Sequence, residues 1–246
     1  MHSERFSILS LNIHKGLSPL NRRVIVHELR DKLHALAPDI VFLQEVQDAH
    51  LRLAARHEDW PAHAQSHFLA GNLWPEIHYG RNAVYDDGHH GNLILSRFPV
   101  EEARNDDISD HRFEQRGLLH ARVNIGGTIA HCFCVHLGLF EGGRRRQLDT
   151  IMRAIAERAG AGEPVIVAGD FNDWRNSAEE RLARIGLIDV FRSHAVRLPR
   201  TFPGRLPLLR LDRIYARGLN VARAQRLAGW ERLSDHLALS ATFERP

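Results

Sequence analysis

The segment Val165-Ile166-Val167-Ala168-Gly169-Asp170-Phe171-Asn172 joins an apolar run directly to a carboxylate and an amide. A short, continuous apolar run is typical of a strand that is covered on both faces. We therefore predict a buried strand over residues 164–168, with Asp170 and Asn172 at its end. Rigid scaffolds commonly present functional side chains at such strand ends.

Other apolar runs of the chain have polar residues at or beside their ends. These residues are Asn12, Glu45, His136, Asp212, Asp235 and His236. Each alone has a simpler explanation as a turn former, a solvated charge, a core histidine or an ion-pair partner. Together, the carboxylates and amides form a set of oxygen donors that suits Mg²⁺ or Mn²⁺. Sequence order does not prove that they meet in space, so both interpretations stay open at this point.

Strand and helix patterns alternate along the whole chain. Short strands are predicted at residues 6–13, 40–43, 83–85, 93–95, 118–123, 129–135, 211–215, 219–227 and 237–243. Apolar residues recur with helical spacing at 25–36, 148–155 and 178–185. Turn signals at 86–88 and 126–127 separate pairs of strands, as in hairpins. This pattern predicts an α/β fold in which two mostly antiparallel sheets pack together with helices outside.

Composition narrows the class of protein. Of 246 residues, 43% are hydrophobic, and 33 Lys and Arg face 30 Asp and Glu, a net charge of +3. This excludes a disordered chain, and two cysteines exclude a disulfide scaffold. The small net charge gives no argument for a polyanion partner. Because no repeat or linker interrupts the pattern, we expect residues 1–246 to form a single domain.

The sequence also carries information about location. Its apolar runs are far shorter than the roughly 20 residues that cross a bilayer, so we expect no stable membrane insertion. The first residues lack the pattern of a signal peptide. Cys132 and Cys134 lie two residues apart in one strand, a poor geometry for a disulfide, so we expect buried, reduced thiols. Together these features favour a cytoplasmic protein.

An ordered set of motifs makes the sequence recognisable. The set is Leu11-Asn12, Gln44-Glu45, Gly91-Asn92-Leu93-Ile94-Leu95-Ser96-Arg97-Phe98-Pro99, Val135-His136-Leu137, Gly169-Asp170-Phe171-Asn172, Leu211-Asp212-Arg213-Ile214-Tyr215 and Ser234-Asp235-His236. It resembles the endonuclease/exonuclease/phosphatase superfamily, which includes DNase I-like and exonuclease III-like enzymes. Asn12-Ile13-His14-Lys15-Gly16 further resembles a bacterial subgroup that is often encoded beside a cardiolipin synthase. The resemblance implies a four-layered α/β sandwich with its site at one rim of the two sheets.

The resemblance also implies a reaction. Members hydrolyse phosphate esters through a divalent metal, usually Mg²⁺ with Mn²⁺ as a possible substitute, without a covalent intermediate. Glu45 is then the principal metal ligand, while Asn12 and Asp235 complete or position the metal shell. A phosphodiester anion repels an incoming hydroxide, so such a site has to neutralise charge and prepare the nucleophile.

The same resemblance assigns the proton chemistry. His236 is the expected general base, held by Asp212, and Asp170 orients the attacking water. Whether Asp170 or His236 takes the proton stays open. Asn172 and His136 are expected to donate hydrogen bonds to the non-bridging oxygens.

Several further residues are weaker candidates. Asn82, Asn92 and Arg116 are candidate phosphate contacts, although an amide after glycine also suits a turn. The pair His89-His90 is expected to be a loop pair, because no ligand partner lies at zinc spacing. The run Arg144-Arg145-Arg146 opens a predicted helix and is expected to be a solvated face.

Three classes of function are compatible with these motifs. The first is a phosphodiesterase for a lipid-derived or small phosphodiester, and the second is a DNA endonuclease or exonuclease. The third is a binding module without activity, which is disfavoured because every signature position holds a competent residue. Dispersed arginines and 7% aromatic residues give little support to nucleic-acid binding. The preference for the first class follows from the resemblance, because the resembling subgroup is often encoded beside a cardiolipin synthase. No protein partner can be inferred.

Overall fold

Two six-stranded sheets form the frame of the protein in a computed structural model that describes residues 5–18, 23–192 and 198–246. The strands are β1 (Arg5–Asn12), β2 (Ile40–His50), β3 (Glu76–Tyr85), β4 (Gly88–Ser96), β5 (Val100–Asp107), β6 (Gly117–Ile125), β7 (Thr128–His136), β8 (Val165–Asp170), β9 (Ile188–Asp189), β10 (Asp212–Arg217), β11 (Val221–Arg226) and β12 (Leu239–Glu244). The first sheet has the order β11-β12-β1-β2-β4-β3, and the second has the order β5-β6-β7-β8-β10-β9. Apart from the parallel pairs β1–β2 and β7–β8, neighbouring strands are antiparallel.

Five α-helices lie in the described part of the chain. They are α1 (Val26–Leu36), α2 (Leu51–Arg56), α3 (Gln65–Ala70), α4 (Glu141–Arg158) and α5 (Ser177–Ala183). The apolar faces of α1 and α3 pack on the outer face of the first sheet, and those of α4 and α5 pack on the second. The predicted α/β sandwich of two mostly antiparallel sheets with flanking helices is confirmed.

The inner faces of the two sheets share one apolar layer. Phe6, Phe42 and Ile94 from the first sheet pack with Leu119 and Ile166 from the second, and all five are at most 2% exposed. Such continuous packing holds the sheets at a fixed separation. It supports our proposal that residues 1–246 form a single domain.

Strand register brings the ends of the central strands to one rim. Asn12 is paired with Gln44, and His136 with Asp170. Asp170 is also paired with Asp212 on β10. The last residues of β1, β7 and β8 therefore lie near the first residue of β10. Their side chains can meet because both sheets end at the same rim.

Strand β2 differs from its prediction. The apolar run predicted a strand ending near Leu43, but β2 continues to His50 with a break in register between Leu43 and Val46. Glu45 lies at this bulge with a φ angle of 57°, in the left-handed region. A bulge changes the direction of side chains. Here it changes the side of the sheet to which the Glu45 side chain would point in a regular strand. The helices α2 and α3 were also not predicted.

None of the helices in the described residues is long and apolar enough to span a bilayer. Cys132 and Cys134 are buried free thiols, as predicted.

Candidate active site

Several polar side chains at the rim of the two sheets contact the carboxylate of Asp170. Its Oδ2 atom accepts a hydrogen bond of 3.2 Å from the amide nitrogen of Asn12, and its Oδ1 atom accepts one of 2.9 Å from the backbone N–H of Asn172. The Nε2 atoms of His136 and His236 lie 3.5 and 3.7 Å from Oδ2. All these groups are nearly buried. The structure thus gathers four of the predicted residues around the carboxylate of a fifth, Asp170.

His236 is held by a second carboxylate. Its Nδ1 atom lies 2.8 Å from Oδ2 of Asp212, which is fully buried at the start of β10. The backbone N–H of His236 donates to the Ser234 hydroxyl, which in turn donates to the backbone carbonyl of Asn12 over 2.6 Å. The loop before β12 is therefore tied to β1 and presents its histidine to both Asp residues.

Glu45 reaches the same cluster from β2. Its Oε1 atom accepts a 3.3 Å hydrogen bond from the amide nitrogen of Asn12, so this amide bridges Glu45 and Asp170. Burial acts to raise the pKa of Glu45, but the nearby positive charge of Lys15, together with His90 and the Asn12 hydrogen bond, lowers it overall. Glu45 is therefore ionised at neutral pH and available to a cation.

Asp235 lies on the solvent side of the cluster. Its Oδ2 atom is 3.3 Å from Nδ1 of His14, and its Oδ1 atom lies 3.2 Å from the Ser234 hydroxyl oxygen. Because Ser234 also bonds to Asn12, Asp235 is positioned beside β1. His14 and Lys15 both have left-handed φ angles, of 47° and 60°, in the turn that follows β1.

The two central groups have displaced pKa values. Burial is the largest influence on Asp170 and, with the negative charge of Asp212, raises its pKa to about 6. Burial acts to lower the pKa of His236, but the carboxylates of Asp212, Asp170 and Asp235 together raise it to about 10. His136 is different, since burial and then the positive charge of Arg116 lower its pKa well below the usual value. At neutral pH, His236 is thus an imidazolium and His136 is neutral.

The donor set suits a hard divalent cation. One ligand atom each of Asp170, Asp212 and His236 lie within 4.8 Å of one another. Because the imidazolium form of His236 cannot bind a metal ion, the carboxylate oxygens are the ligands that this group offers at neutral pH. Asp212 Oδ1 is buried with no hydrogen-bond partner among the described residues. The ionised oxygen of Glu45 lies on the other side of the Asn12 amide. Carboxylates and amides without thiolates are the ligands of Mg²⁺ or Mn²⁺ rather than of a zinc cage.

The three weaker candidates have different surroundings. Asn92 is buried between the sheets, where its nitrogen donates to the backbone carbonyls of Gly117 and Cys134. Asn82 accepts a hydrogen bond from Asn105 on β5. The structure therefore places Asn92 as a link between β4 and the second sheet, and it joins neither amide to the Asp170 cluster.

Arg116 is closer to the reaction centre. Its Nε atom donates to the carbonyl of Leu137, which also accepts from the amide of Asn172 over 2.9 Å. Arg116 lines a groove of about 480 Å³ together with Glu45, Lys15 and His90. This groove is an entrance through which a phosphate group can reach Glu45.

Sequence reasoning assigned no role to Lys15 or His90. Lys15 belongs to the subgroup motif that starts at Asn12, so the motif itself carried a signal. His90 was expected in a loop, which is wrong: it lies in β4, opposite Gln47 of β2. His90 lies near Glu45 because β4 pairs with β2, the strand that carries Glu45.

The expectation for the arginine run is wrong at one position. Arg145 and Arg146 are exposed, as expected, but Arg144 is buried. Its Nη1 atom donates to the carbonyls of Gly138 and Leu139, and its guanidinium lies 4.7 Å from the ring centre of Trp174. Arg144 thus fixes the loop that follows β7 instead of forming a solvated face.

These relationships define a buried site of carboxylates, amides and histidines at the rim of the two sheets. Residues 9–236 match the model of the Endonuclease/Exonuclease/phosphatase family, and the chain belongs to this family. Members of this family hydrolyse phosphoester bonds and generally use divalent metal ions.

Relatives cover nearly the whole chain. A protein from Escherichia coli K12, described as uncharacterized protein YbhP, is 46% identical over 241 residues, which are 96% of this chain and 95% of the relative. Among solved structures, an endonuclease/exonuclease/phosphatase from Beutenbergia cavernae superposes with a TM-score of 0.77 at 20% identity, covering 98% of this chain and 72% of that one. A humanized D. rerio TDP2 gives a TM-score of 0.72 at 22% identity, covering 98% and 99%. These structures share the fold.

Proposed function

We propose that this protein is a divalent-metal-dependent phosphodiesterase that hydrolyses a small or lipid-derived phosphodiester by in-line attack of water. The observation that carries this proposal is the convergence on Asp170 of polar groups from both sheets. A buried carboxylate surrounded by amides, one neutral histidine and one imidazolium is suited to an anionic reaction centre. Family membership supports the reaction class.

Glu45, Asn12 and Asp235 are the residues proposed to hold the metal ion, with Mg²⁺ as the expected ion and Mn²⁺ as a substitute. When bound, the ion supplies positive charge that stabilises a phosphoryl oxygen and the leaving oxygen. The low pKa of Glu45 favours this role, since its carboxylate is ionised without competition from a proton. Lys15 lines the same groove and adds positive charge toward an incoming phosphate, whereas Arg116 is paired with Glu114 over 3.1 Å and contributes as a hydrogen-bond donor.

The charge distribution supports a specific division of proton roles. The sequence favoured His236 as the base, but its raised pKa keeps it protonated at neutral pH. Asp170, with a pKa raised to about 6, is mostly ionised there and is the better acceptor for a proton from water. We therefore propose that Asp170 accepts the proton while His236, oriented by Asp212, donates hydrogen bonds at the reaction centre.

Asn172 and His136 are proposed to stabilise the non-bridging oxygens. One hydrogen of the Asn172 amide is used by the carbonyl of Leu137, which leaves the second for a phosphoryl oxygen. His136 is neutral, so it offers one N–H without adding a charge that would repel His236. Removing one such donor costs about 10²–10³ in rate in comparable sites.

A hydrolysis panel tests the proposal. Purified protein with Mg²⁺ is assayed on a soluble aryl phosphodiester, phospholipid diesters, and linear and circular DNA, with EDTA and the variant His236→Ala as negative controls. His63→Ala is the matched control, because His63 is an exposed histidine of a surface loop. We expect hydrolysis of aryl or lipid diesters that EDTA and His236→Ala abolish. Cleavage of DNA alone would assign a nuclease instead, and unaltered hydrolysis by His236→Ala would contradict the site.

A further inference from the structure

Several exposed apolar side chains lie in loops at the rim that carries the candidate active site. Phe113 is 82% exposed, and Phe140 and Leu206 are each 67% exposed. We call the whole group the apolar collar, and its members are Phe113, Leu139, Phe140, Trp174, Leu206 and Leu208. Single exposed apolar residues are ordinary on protein surfaces, but a set on neighbouring loops beside one site marks an interaction surface.

The collar belongs to four loops that meet at the rim of the sheets. These loops precede β6, follow β7, follow β8 and precede β10. Since β7 and β10 both neighbour β8, the loops after β7, after β8 and before β10 begin or end next to Asp170. The loop before β6 is joined to the loop after β7 by the hydrogen bond from Leu139 to Glu114. Phe113, Leu139 and Phe140 also line the groove that leads to Glu45. On the other side of the site, the ring of Phe202, in the loop that carries Leu206, lies 5.0 Å from that of His236.

Hydrogen bonds hold these loops in place. The backbone N–H of Leu139 donates to Glu114 over 3.0 Å, which ties together the two loops that carry Leu139 and Phe113. The backbone N–H of Leu209 donates to the carbonyl of Phe202 over 2.7 Å and closes the loop that carries Leu206 and Leu208. The collar is thus fixed in an exposed arrangement instead of folding its side chains into the core.

Exposed basic side chains lie in or beside the same loops. Arg112, Arg145 and Arg205 are exposed, and none forms an ion pair with another described residue. Arg112 and Arg205 directly neighbour Phe113 and Leu206 in the sequence. Arg112 also lies 4.7 Å from the ring centre of Phe113. Exposed apolar residues beside cations that have no acidic partner are the combination with which proteins bind the interface of an anionic membrane.

We propose that the apolar collar docks on a membrane surface that carries anionic lipids, so that the site acts on the phosphodiester of a lipid head group. This inference rests on the proposed function and specifies its substrate class. Half of the collar is leucine, and leucine offers no aromatic face on which a nucleic-acid base can stack. Docking by loop tips beside a concave site lets a head group enter the groove while the acyl chains stay in the bilayer.

The test compares vesicle binding with hydrolysis of a soluble substrate. Full-length protein is sedimented with vesicles of phosphatidylcholine alone and of phosphatidylcholine mixed with phosphatidylglycerol. The variants are the double change Leu206→Ser with Leu208→Ser, and Arg205→Ala. Ile188→Ser and Arg153→Ala are the matched controls, because both residues are exposed and lie away from these loops. Hydrolysis of a soluble aryl phosphodiester is measured for each protein.

We expect binding to the mixed vesicles only, weakened about tenfold or more in the double variant and several-fold in Arg205→Ala. Both controls should bind normally, and soluble-diester hydrolysis should be unchanged in all variants. Absence of vesicle binding, equal binding by the double variant, or retention of single-stranded DNA in place of vesicles would overturn the docking proposal. Vesicle binding by a protein that hydrolyses no diester would retain the docking surface and reject the proposed function.

Discussion

His236 and Asp212 approach each other from different sheets, and Nδ1 of the histidine lies 2.8 Å from Oδ2 of the carboxylate. His236 precedes β12 of the first sheet, and Asp212 opens β10 of the second. The contact therefore joins the two sheets at the rim. It also orients the Nε2 atom of His236 toward Asp170, 3.7 Å away. The protonation states on which turnover depends are thus set by groups that the two sheets bring together.

The pH dependence of turnover should be bell-shaped. In the proposed mechanism, activity requires Asp170 without its proton and His236 with its proton, so it should rise through about pH 6 and fall as the pH approaches about 10. Asp212→Asn removes the largest influence that raises the pKa of His236. The alkaline limb should then move to lower pH, with a loss in kcat of about 10²–10⁴.

The measurement is a pH–rate profile of the soluble-diester reaction for wild type and Asp212→Asn. Asp59→Asn serves as the control, because Asp59 is an exposed residue outside the rim and its loss should leave both limbs in place. An alkaline limb that stays at the wild-type pH in Asp212→Asn would reject the assigned role of His236.

Glu45→Gln should weaken the response to metal while leaving the fold intact. The substitution keeps the size of the side chain and removes the charge that attracts a divalent cation. We expect the Mg²⁺ concentration for half-maximal activity to increase by about tenfold or more. A titration of activity against Mg²⁺ measures this shift, with thermal unfolding as the check on folding. An unchanged titration would assign the metal to other residues.

Gly169→Ala should destabilise the fold. Gly169 has a φ angle of 147°, and a Cβ atom there would lie 1.9 Å from the backbone oxygen of Val135 on the neighbouring strand. Because β7 and β8 cannot separate without losing their ladder, we expect a loss of at least about 3 kcal/mol in the free energy of unfolding. Gly162→Ala is the control, as its Cβ would meet no atom within 4 Å. Equal urea midpoints for the two variants would contradict this close approach of the strands.

Acid should weaken the protein through a buried histidine pair away from the active site. Nε2 of His120 lies 3.0 Å from Nδ1 of His131, and burial followed by the charge of His131 lowers the pKa of His120 from 6.5 to about 3. Between about pH 6.5 and pH 3, His120 therefore binds a proton in the unfolded chain but not in the folded chain. Stability from this group is complete above pH 6.5 and is lost as the pH falls from there toward about 3.

The slope of stability against pH tests this histidine pair. Each such proton contributes up to about 1.4 kcal/mol per pH unit. His120→Phe should therefore lower the slope of the unfolding free energy between about pH 7 and pH 5 by roughly one proton. His63→Gln, at an exposed position, should leave the slope unchanged. A His120→Phe slope equal to that of wild type would show that His120 does not titrate on unfolding.

The sequence predicted the parts of the fold that depend on local pattern. The apolar run before Asp170 and the glycine turn at Gly126 specify a buried strand and a hairpin, and both are present. The bulge at Glu45 was missed because it depends on pairing between β2 and β4. Helices α2 and α3 have only six residues each, too few for a clear helical period.

The sequence predicted which residues form the candidate site, but not their protonation states. The motif order identified Asp170, Asp212 and His236, and the structure brings them within contact of one another. Their pKa values arise from burial and mutual distances that no motif encodes, so the raised pKa of His236 was not foreseen. The apolar collar was not predicted for a similar reason. Its side chains come from four separate loops, and only the fold gathers them beside one site.

The decisive measurement is hydrolysis of a soluble aryl phosphodiester by the folded variant Asp170→Asn, compared with wild type in Mg²⁺ and in EDTA. Asp170 joins Asn12, Asn172 and both histidines, and the substitution removes its charge while keeping its shape. We predict Mg²⁺-dependent hydrolysis by wild type and a loss of about 10³ or more in the variant. Wild-type turnover by a correctly folded Asp170→Asn would show that the reaction does not depend on this carboxylate.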